Sequence, residues 1–426
     1  MSTPSLLNIP YVIKAGTLYS QIPETGAGDF AVTRTTSPTP NRSTRINADG
    51  FIELVNDNVP RLDYPLGGAV NGCAALLVEP AATNSIRNNS MVGASAPNTL
   101  PTNWSNAGSG LTRQSVVTGT LNGIPYVDIR ISGTANNTFH DVFWDASNII
   151  AASVGQNWVA SCYLQIIAQP NPPVSYALAM REFNSGGGFL GVFTGPALSI
   201  STTSFNRFSF TRALNQATVA FVHPSLFLTL VSGQTYDFTI RIGYPQMEIG
   251  SVATSVIHTT TAAIARGADV IRKTSITSLI GQSEGTVYFE VEVTSEARDG
   301  WICSIDSSAT SFIQMVINPS RAIIISILNG GTQVITNLTS SVLSVGYHKV
   351  AFAYNTATNG CIMYIDGVQN PVATRTVVAP GLPSMPNMSL GGFITNTTDA
   401  LKAHIRAGAV YPNRLTNAQL QVLTTP

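Results

Sequence analysis

Three glutamates stand close together in the sequence, at Glu290, Glu292 and Glu296. Side chains two residues apart lie on one face of a strand, so Glu290 and Glu292 could flank a single sugar ring. Two carboxyl groups placed in that way are what glycoside hydrolysis requires. Residues 295–300 have the composition of a turn, however, and ordinary solvated strand residues explain the acidic run better. We therefore predict no catalytic residues and expect that the protein is not an enzyme.

The rest of the sequence carries no other catalytic or metal-binding pattern. The five histidines are dispersed, without an HxH or HExxH spacing: His140, His223, His258, His348 and His404. No nucleophile elbow, P-loop or dinucleotide fingerprint occurs. Asp306, Asp366 and Asp399 could contribute to a calcium site, but a role in turns is favoured, above all for Asp366 before Gly367. We predict neither a metal nor a cofactor.

Aromatic side chains are the remaining candidates for ligand binding, because a sugar can stack on an exposed ring. The chain has four tryptophans. Trp158 lies in an apolar run and is predicted to belong to a core. Trp144, close to a loop, is the first candidate for stacking, followed by Trp301 and Trp104. Burial is the competing interpretation for each, since tryptophan is highly buried on average.

Composition limits the classes of protein to which the chain can belong. Of 426 residues, 44% are hydrophobic and only 10% are charged, and 22 basic residues balance 22 acidic ones. This excludes a basic nucleic-acid-binding face and indicates a protein that associates with itself or with partners. No signal peptide and no run of apolar residues long enough to span a bilayer is present, so we expect no membrane insertion.

The four cysteines do not form a metal-binding or redox motif. Cys73, Cys162, Cys303 and Cys361 are widely separated and include no CxxC pair. Cys162 and Cys361 lie in apolar strand-like runs, so we expect buried free thiols. So few cysteines favour assembly in a reducing cytoplasm.

Hydrophobic periodicity predicts an all-β protein. Apolar residues recur at every second position in residues 126–131 and 236–244, as expected for half-buried strands. Many short strands with turn signals between them indicate β-sandwiches of the jelly-roll type. The pair Asp366-Gly367 predicts a hairpin turn, and Thr416 followed by Gln419 predicts a capped helix near the C-terminus.

These elements predict two β-sandwich domains in tandem after an extended N-terminal segment. We place an anchoring or oligomerisation segment at residues 1–74 and a jelly roll at residues 75–258. A linker at residues 259–283 leads to a second sandwich at residues 284–426. The strand candidates of the first segment are too few for a core of their own, so they must dock on another domain, a sister chain or an anchoring protein.

Five stretches of the C-terminal block resemble the concanavalin A-like lectin/glucanase superfamily, in particular its laminin-G-like members: residues 285–291, 346–354, 363–368, 390–392 and 405–420. The resemblance implies a lectin-like sandwich. It does not imply one activity, because the fold serves lectins, enzymes and structural proteins. Glu292 stands where the glucanase pattern has Asp, which weakens the catalytic interpretation further.

The N-terminal half adds a second resemblance. Asn103-Trp104 and residues 245–255 are similar to carbohydrate-binding-module jelly rolls. Residues 60–64 and 77–84 are similar to structural proteins of tailed phages, of the fibre or head-decoration type.

Together these resemblances imply a virion structural protein that is assembled in the host cytoplasm and exposed on the particle. Its partners would be capsid, collar or tail proteins and copies of itself, with a homotrimer as the leading expectation. Weak contacts with host-surface glycans would gain from many copies. A secreted or cell-surface carbohydrate-binding adhesin is the first alternative, and a glycan depolymerase is the second.

Overall fold

The computed structural model describes residues 3–9, 13–66, 74–146, 149–295, 299–394 and 400–426, with only the backbone of Ser115 and Val116. Regular structure in these residues is almost entirely strand, and the paired strands run antiparallel. The predicted all-β class with β-sandwich domains is confirmed. Within the described ranges, no helix is both long and apolar enough to cross a membrane.

The strands of the N-terminal part are short: β1 (Leu6–Asn8), β2 (Ile13–Lys14), β3 (Thr17–Leu18), β4 (Phe30–Thr33), β5 (Thr36–Ser37), β6 (Ser43–Ile46), β7 (Ile52–Val55), β8 (Arg61–Asp63), β9 (Ala75–Val78) and β10 (Ala82–Asn84). Longer strands follow: β11 (Ser105–Gly108), β12 (Thr112–Leu121), β13 (Ile124–Thr134), β14 (Phe139–Phe143), β15 (Ile150–Ala151), β16 (Asn157–Ala168), β17 (Ser175–Asn184), β18 (Phe189–Thr194), β19 (Asn206–Ala213), β20 (Val219–Thr229) and β21 (Thr235–Ile249).

The C-terminal part contains β22 (Ile264–Arg266), β23 (Val270–Thr274), β24 (Glu284–Val293), β25 (Gly300–Ser308), β26 (Ser311–Ile317), β27 (Ile323–Asn329), β28 (Thr332–Gln333), β29 (Leu338–Thr339), β30 (Gly346–Asn355), β31 (Ile362–Ile365), β32 (Val368–Gln369), β33 (Asn387–Leu390) and β34 (Ala403–Tyr411). The helix α1 (Asn417–Thr424) ends the chain.

The first sandwich consists of two sheets with a core between them. One sheet has the order β11-β14-β20-β17-β18, with β15 paired to β20, and the other has the order β12-β13-β21-β16-β19. Alternation along β13 places Val127, Ile129 and Ile131 in this core, as the period of two predicts. The alternating run predicted at residues 236–244 lies within one longer strand, β21.

The second sandwich draws strands from both ends of the chain. In one sheet, β24, β30 and β34 are joined by β1, β8 and β9; in the other, β25, β26, β27 and β33 are joined by β2, β3, β4 and β23. Strands from residues 1–74 and from the predicted linker, residues 259–283, are therefore paired members of these sheets. The division into separate domains stays a prediction.

Two local predictions are confirmed. Asp366 and Gly367 have positive φ angles of 49° and 80° and connect the paired strands β31 and β32, as a tight hairpin requires. Thr416 caps helix α1, its side chain accepting a hydrogen bond from the Gln419 backbone N–H in a complete capping box.

The cysteine prediction is confirmed for Cys162, Cys303 and Cys361, which are free and buried. Burial raises the pKa of the Cys361 thiol to about 11, so it stays protonated at neutral pH. Cys73 lies outside the described residues.

Candidate functional site

On β24, Glu290 and Glu292 each contact a basic side chain. Glu290 Oε1 lies 3.4 Å from Arg406 Nη1, and Glu292 Oε2 lies 2.6 Å from His404 Nδ1. Burial would raise the pKa of Glu292, but its hydrogen bond with His404 holds the pKa below the usual value. A general acid needs the opposite shift, so the lowered pKa of Glu292 does not suit that role. Glu296 lies outside the described residues.

The aspartates considered for calcium also have other partners. Asp306 pairs with Arg272 at 2.7 Å, and Asp366 accepts a hydrogen bond from the backbone N–H of Lys349 at 3.0 Å. Asp399 is outside the described residues. Among the residues that the structure does describe, no group of three or more His, Cys, Asp or Glu side chains is arranged to hold a metal ion.

The tryptophan candidates require a correction. Trp144 is 0% exposed and Trp104 is 7% exposed, and both belong to the core of the first sandwich. Trp144 follows the last residue of β14 and continues its alternation inward, while Trp104 Nε1 donates a hydrogen bond to the Asn88 carbonyl at 3.0 Å. Neither ring offers an exposed face for a sugar.

Trp301 is the partly exposed member of the three candidates. Its ring stacks on Phe393 with centroids 5.6 Å apart and an interplanar angle of 19°. Its Nε1 donates a hydrogen bond to Gln314 Oε1 at 3.0 Å. One ring face and the polar edge are therefore already used within the protein, which leaves a limited surface for stacking. Its role in glycan binding stays a prediction.

The structure instead gathers phenylalanines on the outer face of the first sandwich. We call this surface the aromatic face; it consists of Phe139, Phe143, Phe183, Phe189, Phe221 and Phe227. Strand alternation explains its position, because Val142 and Trp144 point into the core and Phe143, between them, points outward. Phe139 and Phe227 are stacked with centroids 5.9 Å apart.

An arginine stands at the centre of the aromatic face. The Arg181 guanidinium lies 5.4 Å from the ring centroid of Phe139, and 5.5 Å from those of Phe143 and Phe189. Such distances are those of cation–π contacts. The guanidinium also forms an ion pair with Asp141, which lies beneath the rings.

Polar groups form the floor of the aromatic face. Asp141 accepts a hydrogen bond from Ser225 Oγ at 2.6 Å, and both residues are buried. Burial raises the pKa of Asp141, while hydrogen bonds from Ser225 and Arg181 oppose that rise. His223 stacks on Phe143 at 4.1 Å, and burial lowers its pKa, so the imidazole is mostly neutral at pH 7. The floor is thus rigidly hydrogen-bonded around one arginine.

The aromatic face has the chemical components of a sugar site. Phe189 is 55% exposed, and the rings of Phe139 and Phe227 are half-buried. Apolar rings can stack on the C–H face of a sugar, and the guanidinium can donate hydrogen bonds to its oxygens.

The alternation that produces the aromatic face is visible in the sequence. Phe139, Asp141 and Phe143 alternate along β14, and Phe221, His223, Ser225 and Phe227 alternate along β20. The aromatic face was not predicted because only tryptophans were considered as stacking rings.

Two concave regions lie elsewhere in the fold. A groove of about 670 Å³ borders the small sheet β10-β22-β5 and is lined mainly by Ala, Ser and Thr, with little capacity for specific recognition. A smaller cavity of about 210 Å³ lies beside Asp63, Tyr163, Arg207 and His404. His404 Nε2 is 2.9 Å from Asp63 Oδ2, so these two polar groups of the cavity are already paired with each other.

Strand pairing and the outer aromatic face define a β-sandwich protein with a candidate binding surface. No protein-family model matches this sequence, and a search of curated proteins found no match. Partial similarity exists to CBM40 of Ruminococcus gnavus IT-sialidase bound to alpha2,3 sialyllactose, at 15% identity over 35% of this chain and 91% of that chain, with a TM-score of 0.30.

Two further solved structures show partial similarity. For domains LG4-5 of the mouse laminin alpha1 chain, identity is 12% over 61% of this chain and 82% of that chain, with a TM-score of 0.22. For the SAP-like pentraxin of Limulus polyphemus, identity is 11% over 32% of this chain and 68% of that chain, with a TM-score of 0.26. The fold described above rests on the strand pairing of this chain itself.

Proposed function

We propose that this protein is a non-catalytic glycan-binding structural protein and that the aromatic face is its binding surface. The observation that carries the proposal is the exposed Phe189 ring beside Arg181, within a sheet face that carries five further phenylalanines. A soluble protein rarely leaves such a surface open without a ligand or partner for it. Rings that surround one hydrogen-bond donor match a sugar, which has apolar C–H faces and polar edges.

The surface suits weak binding at each copy. It is a sheet face with few free polar groups. Ser225 is hydrogen-bonded to Asp141, and Arg181 forms an ion pair with the same carboxylate. Stacking contributes about 1 kcal/mol per ring contact, so one copy would hold a glycan weakly. Several copies on one particle would raise the overall avidity without any new contact.

We further propose that the particle is a tailed-phage virion, in which the chain serves as a fibre or head-decoration subunit and forms a homotrimer. Support comes from the resemblance at residues 60–64 and 77–84 and from the zero formal net charge, which favours association. Imaging of purified particles that carry a labelled copy of this chain tests the placement. Label on neither capsid, collar nor tail would reject it.

The glycan proposal is tested with the Phe189→Ala variant on an array of neutral and acidic glycans. Phe51→Ala is the matched control, because Phe51 is 45% exposed and lies between β6 and β7, on a different sheet. We expect the wild type and Phe51→Ala to bind the same glycans, and Phe189→Ala to bind them at least tenfold more weakly. Both phenylalanines are exposed, so neither variant should lose stability.

Two results would contradict the glycan proposal. Equal binding by wild type and Phe189→Ala would place any glycan site elsewhere on the chain. Absence of glycan binding, combined with loss of oligomers or particle incorporation in Phe189→Ala alone, would instead identify the aromatic face as a protein-docking surface.

A further inference from the structure

A second feature of the first sandwich lies between its sheets. Arg113 is on β12, an edge strand, and its register partners across the sheet are Ile131 and then Phe238. Both partners are fully buried, so this row of side chains points into the sandwich. On the facing sheet, His140 of β14 is 0% exposed, and its Nδ1 lies 2.7 Å from Ser109 Oγ, four residues before Arg113 in the chain. The half-buried guanidinium and the buried imidazole therefore lie near each other between the sheets.

These two side chains have unused hydrogen-bonding atoms. Arg113 Nε and Nη1 and His140 Nε2 are buried and have no partner in the described structure. The other imidazole nitrogen, His140 Nδ1, lies 2.7 Å from Ser109 Oγ. When that hydroxyl donates to Nδ1, the proton resides on Nε2, and three donor nitrogens remain unpaired. An unpaired buried donor is unfavourable, so three together point to an absent acceptor.

Arg113 differs from three other interior arginines because it has no counter-ion within the described residues. Arg34, Arg61 and Arg266 are buried, but each forms an ion pair with a carboxylate at the junction of the two sandwiches. No ion pair or hydrogen bond of the Arg113 side chain exists within the described ranges. A buried charge without a counter-ion is unfavourable unless a ligand supplies one.

The charge of this pair is well defined at neutral pH. Burial lowers the pKa of Arg113 to about 10, which leaves the guanidinium protonated. Burial and the nearby Arg113 lower the pKa of His140 to about 4, which leaves the imidazole neutral. The pair therefore carries a single positive charge together with three unpaired donor nitrogens.

We propose that Arg113 and His140 bind a small carboxylate anion at the open edge of the first sandwich. A carboxylate is flat and offers two oxygens to a guanidinium. Its single negative charge neutralises Arg113, whereas a phosphate dianion would leave excess charge in a poorly hydrated site. The edge strands β11 and β12 border the site, and residues 105–108 of β11 and Thr112 of β12 are exposed, so the site lies close to solvent.

This site is separate from the aromatic face and goes beyond the proposed function. The aromatic face lies on the outer surface of one sheet, around Arg181, whereas Arg113 and His140 lie between the two sheets. A small free acid and an acidic sugar both carry a carboxylate, so the test includes one of each.

The test titrates the full-length protein with sodium acetate, sodium glucuronate, sodium phosphate or sodium chloride at constant ionic strength. The measured quantity is the NMR shift of the His140 ring. We expect a saturable change with acetate and glucuronate. Arg113→Met should weaken this response at least tenfold, and Arg113→Lys, which keeps the charge but not the planar pair of donors, should weaken it less.

Arg130→Met on β13 is the matched control, because Arg130 is solvent-exposed and pairs with exposed Asp237 at 2.6 Å. It should keep the wild-type response. A wild-type response in Arg113→Met, a saturable response to phosphate alone, or no response of His140 to any carboxylate would each overturn the proposal. Should Arg113→Met fail to fold, a wild-type affinity in Arg113→Lys would still contradict it.

Discussion

Arg61 Nη1 lies 2.8 Å from Glu79 Oε2, and both side chains are buried. Glu79 also accepts a hydrogen bond from Arg266 Nη1 at 2.7 Å. On its other side, Arg61 pairs with Asp269, which in turn pairs with Arg34 at 2.8 Å. Three arginines and two carboxylates thus form one continuous buried network.

The Arg61–Glu79 network joins parts of the chain that are distant in sequence. Arg61 is on β8 and Glu79 follows β9, both in the sheet of the second sandwich, while Asp269 lies just before β23 in the facing sheet. Ser255, which follows the last strand of the first sandwich, donates a hydrogen bond from its hydroxyl to Glu79 at 2.6 Å. The network therefore connects the first sandwich to both sheets of the second.

Arginine pairing keeps the carboxylates of this network charged. Burial alone would raise the pKa of Glu79, but Arg266 and Arg61 hold it well below its usual range. Burial would also raise the pKa of Asp269, but Arg61 and Arg34 outweigh this effect and lower that pKa. The attraction between opposite charges compensates for the loss of hydration as long as every member is present.

Removal of one member should therefore be costly. We expect Arg61→Met to lower the free energy of unfolding by about 3–5 kcal/mol, because Glu79 and Asp269 would each lose a buried partner. Urea denaturation followed by tryptophan fluorescence measures the change. Arg130→Met, which breaks an exposed pair with Asp237, should cost far less, because solvent screens that pair. Equal small costs for the two variants would show that the network is not needed for stability.

A second prediction concerns His404, which bridges two carboxylates. Its Nδ1 is 2.6 Å from Glu292 and its Nε2 is 2.9 Å from Asp63. Burial would lower the pKa of His404, but the bonds to Asp63 and Glu292 outweigh it and raise the pKa to about 9. A raised folded-state pKa adds stability that is complete below the unfolded value of about 6.5 and is lost as the pH rises through 9.

The wild type should accordingly lose roughly 1–3 kcal/mol of unfolding free energy between pH 6.5 and 9, and His404→Gln should show no such loss. Denaturation at several pH values measures it, and NMR titration of the His404 ring should give a midpoint near 9. His258→Gln is the control, because burial lowers the pKa of His258 to about 4 and it stays neutral across this range. An NMR midpoint for His404 near 6.5 would refute the bridge.

Local structure was predictable because it depends on neighbouring residues. The hairpin at Asp366-Gly367 and the cap at Thr416 each require only a few adjacent side chains and a backbone preference. Alternation also identified parts of β13 and β21. Predicting the face on which a residue lies is harder, since an error of one position reverses it. Trp144 and Phe143 are adjacent, and the prediction chose the one that points into the core.

Long-range pairing was not predictable from a single sequence. Arg61 and Asp269 are 208 residues apart, and nothing in either local pattern indicates the other. In the same way, β1 pairs with β34 across nearly the whole chain. Such contacts arise only when the two sandwiches and the N-terminal strands pack together. Arg181 was missed for a related reason, because the three rings around it come from two strands that are not adjacent in the sheet.

The buried position of Trp144 leads to the last prediction. Its ring is enclosed by the core of the first sandwich, so Trp144→Ala should lower the free energy of unfolding by about 3–5 kcal/mol through loss of burial and creation of a cavity. Glycan binding by the folded fraction should not change. Trp301→Ala, at a partly exposed position, should cost less in urea denaturation. A stable Trp144→Ala protein that had lost glycan binding would identify Trp144 as the stacking residue. It would also contradict the proposal that the aromatic face binds the glycan.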